Sequence, residues 1–390
     1  MAETLDTVLM VMESVFPTAA GGGAESQVRT LSLEFLQQGV PITVVVPMVR
    51  EGPQQTLDSV EGIPVRRIPY PKLPGLGAMW MLLSLAWLLV TTRRRYSVIH
   101  AHIAGNMSAV CCAVGRLLGK PVLVKLTGMT EMRGGILDPS PGPLSRVRKL
   151  TMRSASAYQA TSDRIARLLV ERGFEAGKVM HIPNAVDVDR FRRFEPVPGL
   201  RRQLCGERRL VGVYVGRLET EKGLEYLLDG WAQVFRERSD ALLLVVGDGR
   251  ARGALEARCH ALGIADQVKF VGPSAQVERF LSVADFGVLT SLHEGLSNTL
   301  LEYMAAGLPV LGTEVSGTED FVITGRTGWL FPPADVQAFA RCLGEAAGVD
   351  IDELRRRGRE ARALVDERAS IRSVVRQLEQ AYARISAVPR

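Results

Sequence analysis

Two glutamates stand eight residues apart in the segment SLHEGLSNTLLEYMAAG, residues 291–307. Glu294 precedes a Gly-Leu-Ser-Asn stretch, and Glu302 follows it within a run that has the apolar spacing of a helix. Ser297 or Asn298 is a suitable N-cap for that helix, so free N–H groups and the positive end of the helix dipole face the loop. One carboxylate is therefore expected in the loop and a second one turn inside the helix.

Two cations occur earlier in the chain, in another strand-to-helix loop. The sequence VGRLETEKG, residues 215–223, carries Arg217 and Lys222. A guanidinium fork and a mobile ammonium both suit phosphate oxygens, whereas the alternative is a pair of solvated surface cations. We interpret the pair as an anion site. With the helix amides they would hold a diphosphate, while one carboxylate holds a ribose and the other holds sugar hydroxyls.

A third candidate is the Gly-rich run GGG at residues 21–23, between the first strand and the first helix. Glycines at this place let backbone amides approach a phosphate, although the run is equally consistent with a flexible turn. The spacing G-x-G-x-x-G is absent, so a nicotinamide dinucleotide site is not indicated.

Strand and helix patterns alternate along the chain and must position these residues. Apolar runs such as TVLMVM, ITVVVP and ALLLVVGDG are followed by helical patterns, which predicts parallel sheets of the α/β class with helices on both faces. The pattern restarts after residues 183–199, which are rich in proline and charge. Since 390 residues are too many for one ordinary core, we expect two Rossmann-like, doubly wound domains.

The amino-acid composition limits the classes of binding partner and the cellular compartment that we expect. A net charge of +6 and a pI near 9.2 favour an anionic partner, such as a nucleotide, a phospholipid or a nucleic acid. The five cysteines lack metal-ligand spacing and are expected to be buried free thiols of a reducing cytosol. The polar, acidic start of the chain has no secretory signal pattern, so a cytoplasmic location is expected.

The run LGAMWMLLSLAWLLV, residues 76–90, is followed by three arginines, Arg93–Arg95. It is shorter than the roughly 20 residues that span a bilayer. It is either a helix that covers the N-terminal domain or an interfacial helix with its arginines at the lipid headgroups. With the basic helix at 146–153, the second interpretation places the protein at the inner face of an anionic membrane and favours a lipid-linked acceptor.

With these motifs the chain resembles the large retaining glycosyltransferase family of the GT-B fold, often called family 4. The resemblance covers nearly the whole chain, and it is carried by these segments: GGAE at 22–25, IPNAVDVDRF, VGRLETEKG, VVGDG, EGLSNTLLEYMAAGLPV and GRTGWLFPPAD. It implies two Rossmann-like domains that face each other across a cleft. The acceptor domain would span 1–190 with the returning helix 374–390, and the nucleotide-sugar donor domain would span 191–373.

The resemblance also implies residue roles. Arg217 and Lys222 would contact the diphosphate, Glu302 would hold the ribose, and Glu294 would hold the donor sugar at the catalytic centre. The donor-binding residues would be Gly22, Gly23, Arg217, Lys222, Gly295, Leu296, Ser297, Asn298 and Glu302.

The chain departs from the family at one catalytic position. The family often has a histidine after the strand that reads VLVKLTG here, where this chain has Thr127. His102, after the preceding strand, is a catalytic candidate or a structural residue. The sequence DVD at 187–189 resembles a metal motif of another glycosyltransferase fold, but here it lies at the domain crossing, and we expect no metal site.

The sequence therefore predicts a retaining glycosyltransferase that moves a sugar from a nucleotide-diphosphate sugar to an acceptor. The acceptor is a glycan, a lipid-linked glycan, a polysaccharide precursor or a small molecule, and no cofactor, metal or nucleic acid is expected. The alternatives are a GT-B-fold epimerase and a non-catalytic nucleotide-sugar-binding protein. The donor base, the sugar and the linkage stay open.

Overall fold

The computed structural model of the protein describes residues 7–17, 22–49, 54–132, 134–195, 197–238 and 240–387. The chain forms two compact units, Met1–Ala185 with Ile371–Arg390, and Val186–Ser370. These boundaries precede the expected ones, 190/191 and 373/374, by five and three residues. The first and last residues of the second unit lie close together, because the amide of Val186 donates to the carbonyl of Ala369 over 2.8 Å.

The first unit is built on an eight-stranded sheet. Its spatial order is β3-β4-β2-β1-β5-β6-β7-β8. All pairs are parallel except β3 with β4. The strands are β1 (Val8–Met12), β2 (Ile42–Pro47), β3 (Leu57–Val60), β4 (Ile63–Ile68), β5 (Val98–His102), β6 (Val122–Leu126), β7 (Ala157–Ala160) and β8 (Val179–His181).

The antiparallel edge is a departure from the expected parallel pattern. Strands β3 and β4 form a hairpin whose two turn residues, Glu61 and Gly62, have φ angles of 52° and 84°. Positive φ at both positions is the geometry of a two-residue hairpin turn, normally signalled by Asn-Gly or Asp-Gly. Glutamate at the first position does not carry that signal, so the sequence pattern does not predict strand β3.

Helices cover both faces of this sheet. One core lies under α2, α3 and α5, and the other lies under α1 and the returning helix α16, where Val374, Leu378 and Tyr382 are buried. The helices are α1 (Gly23–Gln37), α2 (Leu76–Thr91), α3 (Asn106–Leu118), α4 (Met129–Met132), α5 (Pro143–Met152), α6 (Asp163–Glu171) and, from the end of the chain, α16 (Ile371–Ser386).

The second unit has a six-stranded, wholly parallel sheet in the order β11-β10-β9-β12-β13-β14. Every residue of Ala241–Val246 is buried, as expected for a strand covered on both faces. The strands are β9 (Leu210–Val215), β10 (Ala241–Val246), β11 (Val268–Gly272), β12 (Phe286–Leu289), β13 (Val310–Thr313) and β14 (Gly328–Phe331).

The helices of the second unit lie on both sides of its sheet, over two separate cores. They are α7 (Val188–Arg192), α8 (Leu200–Cys205), α9 (Leu224–Phe235), α10 (Arg252–Leu262), α11 (Glu278–Leu281), α12 (Asn298–Ala305), α13 (Thr318–Phe321), α14 (Val336–Gly348) and α15 (Ile351–Ala369). Two doubly wound α/β units are thus confirmed. Four of the five cysteines are buried, Cys342 is partly buried, and all are free thiols.

Candidate active site

The strand order of the second sheet reverses between β9 and β12. The chain proceeds from β9 outward to β11 and then returns to β12 on the other side of β9. Ligands of open α/β sheets bind beyond the carboxyl ends of the strands at such a reversal. The loop with Arg217 and Lys222 follows β9, and the loop with Glu294 follows β12. The topology therefore brings both predicted loops to one crevice.

The loop after β9 is anchored to the end of β12. The hydroxyl of Thr290 donates to the carbonyl of Lys222 over 2.9 Å, and the amide of Leu292 donates to the carbonyl of Glu221 over 2.9 Å. Gly223 follows with a φ of 66°, and a Cβ there would collide with the carbonyl oxygen of Thr290. Only glycine fits this close approach, so Gly223 fixes the position of Lys222 beside the second loop.

Lys222 and Glu294 form an ion pair in this crevice. The Lys222 ammonium contacts Oε1 of Glu294, and both side chains are largely buried. The Ser291 hydroxyl donates to the same oxygen over 3.0 Å. Ser291 is itself held, since its carbonyl accepts from the Thr313 hydroxyl over 2.8 Å. The Glu294 carboxylate is therefore fixed in place by groups from the ends of β9, β12 and β13.

Arg217 lies in the same loop but is exposed. Its guanidinium pairs with Glu221 over 3.1 Å, and its carbonyl accepts from the Tyr214 hydroxyl over 2.9 Å. Both predicted phosphate-binding cations thus have carboxylate partners in the protein alone. An arriving diphosphate would compete with Glu221 and Glu294 for them. The motif gives no sign of this role for Glu221, which becomes visible only from its contact with Arg217.

Helix α12 begins where the loop of Glu294 ends. Ser297 is its N-cap and accepts a hydrogen bond of 3.4 Å from the amide of Leu300. Leu296 is buried in the core of the second unit, which anchors the backbone just before the cap. Gly295, Leu296, Ser297 and Asn298 therefore form a short, fixed entry to the helix, with its positive end near Glu294.

Glu302 lies one turn inside this helix. Burial raises the pKa of its carboxyl to about 7, while the positive charge of Arg190 opposes the rise and the negative charge of Glu278 adds to it. Arg190 and Glu278 are themselves ion-paired over 2.6 Å. They come from α7 and α11, and no motif in the sequence connects them with Glu302. A carboxyl poised near neutrality and next to a cation is typical of a binding or catalytic site.

This geometry can bind one kind of ligand well. A helix N-terminus and two cations suit a diphosphate, and two carboxylates on either side of the cap suit the hydroxyls of two sugar rings. Family comparison agrees. Residues 21–190 match the model described as Glycosyltransferase Family 4, and residues 209–347 match Glycosyl transferases group 1.

Curated relatives decide the family. The chain is 30% identical over 364 residues to 2-deoxystreptamine N-acetyl-D-glucosaminyltransferase of Streptomyces fradiae, covering 84% of this chain and 83% of that protein. It is 26% identical over 357 residues to alpha-D-kanosaminyltransferase of Streptomyces kanamyceticus, covering 85% and 91%. The chain belongs to the family 4 glycosyltransferases. It is therefore a transferase that uses a nucleotide sugar.

A solved structure supports the fold. Anabaena HepE in complex with UDP aligns with a TM-score of 0.78 and 20% identity, covering 97% of this glycosyltransferase and 100% of that chain. The predicted GT-B class is confirmed by this likeness.

Gly22 and Gly23 lie at the start of α1, after β1 of the glycosyltransferase. Gly22 is the N-cap residue, and its carbonyl accepts from the Ser26 amide over 3.0 Å. Glu25 in the first turn accepts a hydrogen bond from the Ser14 hydroxyl. The first sheet reverses its order between β1 and β5, so this glycine loop lies at the switch point of its own unit. Gly21 lies outside the described residues.

His102 is the last residue of β5 and is fully buried. Its ring lies against the ring of His100, with 4.1 Å between centroids. Burial, with the charges of His100 and Lys125, holds the pKa of His102 well below its usual value. The ring is thus neutral near pH 7. The next residue, Ile103, has a φ of 68°, a strained value for a β-branched side chain.

Thr127, at the position of the family histidine, belongs to a different arrangement. The carboxylate of Glu131 accepts hydrogen bonds from the amides of Thr127, Gly128 and Ala104 at 3.2, 2.9 and 3.1 Å. The Thr127 hydroxyl donates to it as well. Glu131 therefore ties the loop after β6 to the loop after β5. The sequence pattern does not predict this role for Glu131, because the fold alone brings its hydrogen-bond partners together.

The DVD segment has structural roles in the glycosyltransferase. Asp187 caps α7 by accepting from the Arg190 amide over 3.0 Å, and Asp189 pairs with Arg192 over 3.6 Å. Over the described ranges, no group of three or more His, Cys, Asp or Glu residues is arranged to hold a metal ion.

Proposed function

We propose that the protein is a retaining glycosyltransferase that takes its sugar from a nucleoside diphosphate sugar. The observation that carries this proposal is the meeting of Lys222 and Glu294 at the N-terminus of α12. That arrangement provides a cation for the leaving diphosphate and a carboxylate for the transferred sugar. HepE was solved with UDP and with UDP-glucose, so UDP-sugars are the first donors to test.

In the proposed reaction, the acceptor hydroxyl attacks the anomeric carbon from the face on which the diphosphate leaves. The bond from the anomeric carbon to the acceptor oxygen forms, and the bond to the phosphate oxygen breaks. The acceptor proton passes to the leaving phosphate oxygen. Arg217, Lys222 and the N-terminus of α12 stabilise the charge that grows on the diphosphate, as preorganised donors do in other enzymes.

Glu294 positions the donor sugar in this proposal rather than attacking it. Its Oε1 is already occupied by the Lys222 ammonium and the Ser291 hydroxyl, which reduces its power as a nucleophile. Glu302 holds the ribose, because its carboxyl lies one turn further along the helix. His102 stays a proposed catalytic residue of the first unit, and the burial of its ring against His100 fits the structural alternative as well.

The acceptor is a hydroxyl compound of one of two classes. Relatives are named for 2-deoxystreptamine and for D-inositol 3-phosphate, which supports a small cyclic acceptor. A lipid-linked glycan is the other class, and it goes with peripheral contact to an anionic membrane. An epimerase or a non-catalytic binding protein is not favoured, since the relatives are named as transferases.

The first experiment is a thermal-shift screen of the purified protein with nucleoside diphosphate sugars, followed by transfer assays with the donors that stabilise it. The anomeric configuration of the product is then read from the coupling constant of its anomeric proton. We expect the configuration of the donor to be retained. An inverted product would contradict the retaining mechanism, donor turnover without any acceptor would indicate an epimerase, and binding without turnover would indicate a binding protein.

A further inference from the structure

Helices α2, α3 and α5 lie side by side on one face of the first sheet. Helix α3 contacts both of the others, and buried residues of all three belong to the same core. We call the solvent side of these helices the docking face. On α2 it carries six large exposed apolar residues, Leu76, Met79, Trp80, Leu83, Trp87 and Val90.

The docking face continues across the neighbouring helices. Leu144, Val147 and Leu150 are exposed on α5 at the spacing of one helix side, and Leu117 is exposed on α3. Single exposed apolar residues are common on soluble proteins, but a contiguous group on adjacent helices marks an interaction surface. Core packing does not explain these side chains, because α2 already buries Met81 and Leu85 against the sheet.

The charge of the docking face has one sign. Residues 70–95, 106–120 and 141–153 contain four, two and four lysines or arginines, and none of the three segments contains an aspartate or glutamate. The whole chain is far more balanced, with 48 basic and 42 acidic residues. Arg93, Arg94 and Arg95 are all exposed where α2 ends. An apolar face bordered by cations alone is complementary to a surface that is apolar inside and anionic outside.

The length and packing of α2 define how it could contact a bilayer. Its 16 residues give about 24 Å of helix, against a hydrocarbon core of about 30 Å. No helix among the described residues is long and apolar enough to cross a membrane. The inner side of α2 is also part of the core, so the helix stays on the protein. It can lie in the plane of the interface, where tryptophan is enriched.

We propose that the docking face seats the protein on the interface of an anionic lipid bilayer. Trp80 and Trp87 enter the boundary between headgroups and acyl chains, and Arg93–Arg95 lie among the lipid phosphates. A second copy of this chain is disfavoured as the occupant, because two identical faces would oppose cation to cation. This proposal deepens the lipid-linked branch of the proposed function and rests on it only for the class of acceptor.

Tryptophan fluorescence gives a direct test. Of the four tryptophans, Trp80 and Trp87 are 57% and 72% exposed, while Trp231 and Trp329 are 0% and 2% exposed. The full-length protein is mixed with vesicles of equimolar phosphatidylglycerol and phosphatidylcholine, or of phosphatidylcholine alone. We expect flotation with the anionic vesicles, a blue shift of emission and quenching by brominated acyl chains. Raising salt from about 0.05 M to about 0.5 M should weaken binding.

Matched variants distinguish binding through the docking face from non-specific binding caused by the net charge or the exposed apolar residues of the whole protein. Trp80→Gln with Trp87→Gln should lower the vesicle partition coefficient at least about tenfold, since each side chain loses apolar burial. Ile323→Gln with Ile351→Gln, exposed apolar residues of the second unit, should leave it unchanged. Replacing Arg93, Arg94 and Arg95 by Gln should weaken binding more than the same change at Arg193, Arg202 and Arg250, which removes equal charge elsewhere.

Three outcomes would overturn the proposal. The first is no flotation with anionic vesicles at low salt. The second is equal loss in the face variants and their controls, which would mean non-specific attraction of a basic protein. The third is concentration-dependent dimerisation, seen by analytical ultracentrifugation and abolished by the double tryptophan variant, which would assign the face to a second copy. None of these depends on donor turnover, so failure here leaves the proposed glycosyl transfer untouched.

Discussion

The Lys222 ammonium and the Glu294 carboxylate are 72 residues apart in sequence and ion-paired in the second unit. In the protein without donor, each neutralises the other inside a largely buried crevice. In the proposed reaction a bound donor would change both partners, since its diphosphate would attract the ammonium and its sugar hydroxyls would approach the carboxylate. The ion pair would then be exchanged for contacts with the donor.

Replacing the two glutamates should affect different kinetic constants. Glu302→Ala should mainly raise the KM for the donor, because the ribose is bound equally in the ground state and the transition state. Glu294→Ala should mainly lower kcat, because the sugar it holds changes shape and charge during the reaction. Loss of a hydrogen bond to a charged group corresponds to roughly 10- to 150-fold. Steady-state kinetics with varied donor, up to saturation, measure both constants. A full kcat in Glu294→Ala with no activity in Glu302→Ala would show that the two roles are assigned the wrong way round.

Lys222→Ala should lower kcat strongly, by roughly 10- to 1000-fold, since the cation stabilises charge that grows on the leaving diphosphate. Because Lys222 and Glu294 are in contact, the double variant should lose less than the product of the two single losses. Arg250→Ala is a suitable control, as it removes an exposed cation of the same unit that is paired with Glu219. Strictly multiplicative losses in the double-mutant cycle would show that the pair does not act as a unit.

The donor KM should depend on pH through Glu302. Its pKa is raised to about 7, and only the ionised carboxylate accepts hydrogen bonds from both ribose hydroxyls. KM should therefore rise as the pH falls from 8 to 6, with a midpoint near 7. In Glu302→Gln the donor KM should be higher at pH 8 and nearly independent of pH. A wild-type pH profile that survives in this variant would exclude Glu302 as its origin.

The raised pKa of Glu302 also predicts how the stability of the protein changes with pH. Measuring this change shows whether Glu302→Gln alters the KM through folding. The pKa of Glu302 in the folded protein lies above its ordinary value of 4.5, so the native state binds more protons than the unfolded chain between pH 4.5 and about 7. The free energy of unfolding therefore falls as the pH rises from about 4.5 to about 7. Glu302→Gln should raise it at pH 8, by up to about 3 kcal/mol, and change it little at pH 4. Denaturant unfolding at both pH values measures this difference.

The positions of the loops after β9 and β12 could be predicted from local signals. Arg217, Lys222 and Glu294 each follow an apolar strand, and parallel strands bring their carboxyl ends to one edge. The N-cap of α12 could also be predicted, because Ser297 and Asn298 precede a helical apolar pattern. Both positions follow from local sequence patterns, which is why they could be predicted, whereas the binding roles of these residues stay predictions.

The surroundings of these residues could not be predicted in that way. Arg190 and Glu278 set the charge near Glu302, yet they lie 88 residues apart and on two different short helices. Glu131 joins two loops by accepting backbone hydrogen bonds, which any carboxylate in the right place could do. Such contacts are set by tertiary packing, and the residue types involved occur throughout the chain.

Metal dependence is tested by chelation. The proposed site has Arg217 and Lys222 for the diphosphate, and the aspartates of the DVD segment are engaged with Arg190 and Arg192. Transfer activity should therefore persist in excess EDTA after dialysis. Activity that is lost on chelation and restored by Mg²⁺ or Mn²⁺ would contradict this expectation. The nucleoside diphosphate product should be measured by an assay that needs no metal ion, because EDTA would inhibit metal-dependent coupling enzymes.

Lys125 lies in β6 and is only 2% exposed. In the part of the chain that the structure describes, its ammonium has no hydrogen-bond partner. Burial lowers the pKa of Lys125 from 10.5 to about 7. The unfolded chain binds this proton up to about pH 10.5, so between about pH 7 and 10.5 stability rises with pH.

Lys125→Met should therefore raise the free energy of unfolding at pH 7, by about 2–4 kcal/mol, because it removes a buried group that costs free energy to leave charged or to deprotonate. The gain should shrink as the pH approaches 10. Lys269→Met is the matched control, since Lys269 is an exposed strand lysine, and its effect should be small at every pH. Denaturant unfolding at pH 7 and pH 10 distinguishes the outcomes. A destabilised Lys125→Met variant at pH 7 would show that the ammonium makes a favourable interaction within the first unit.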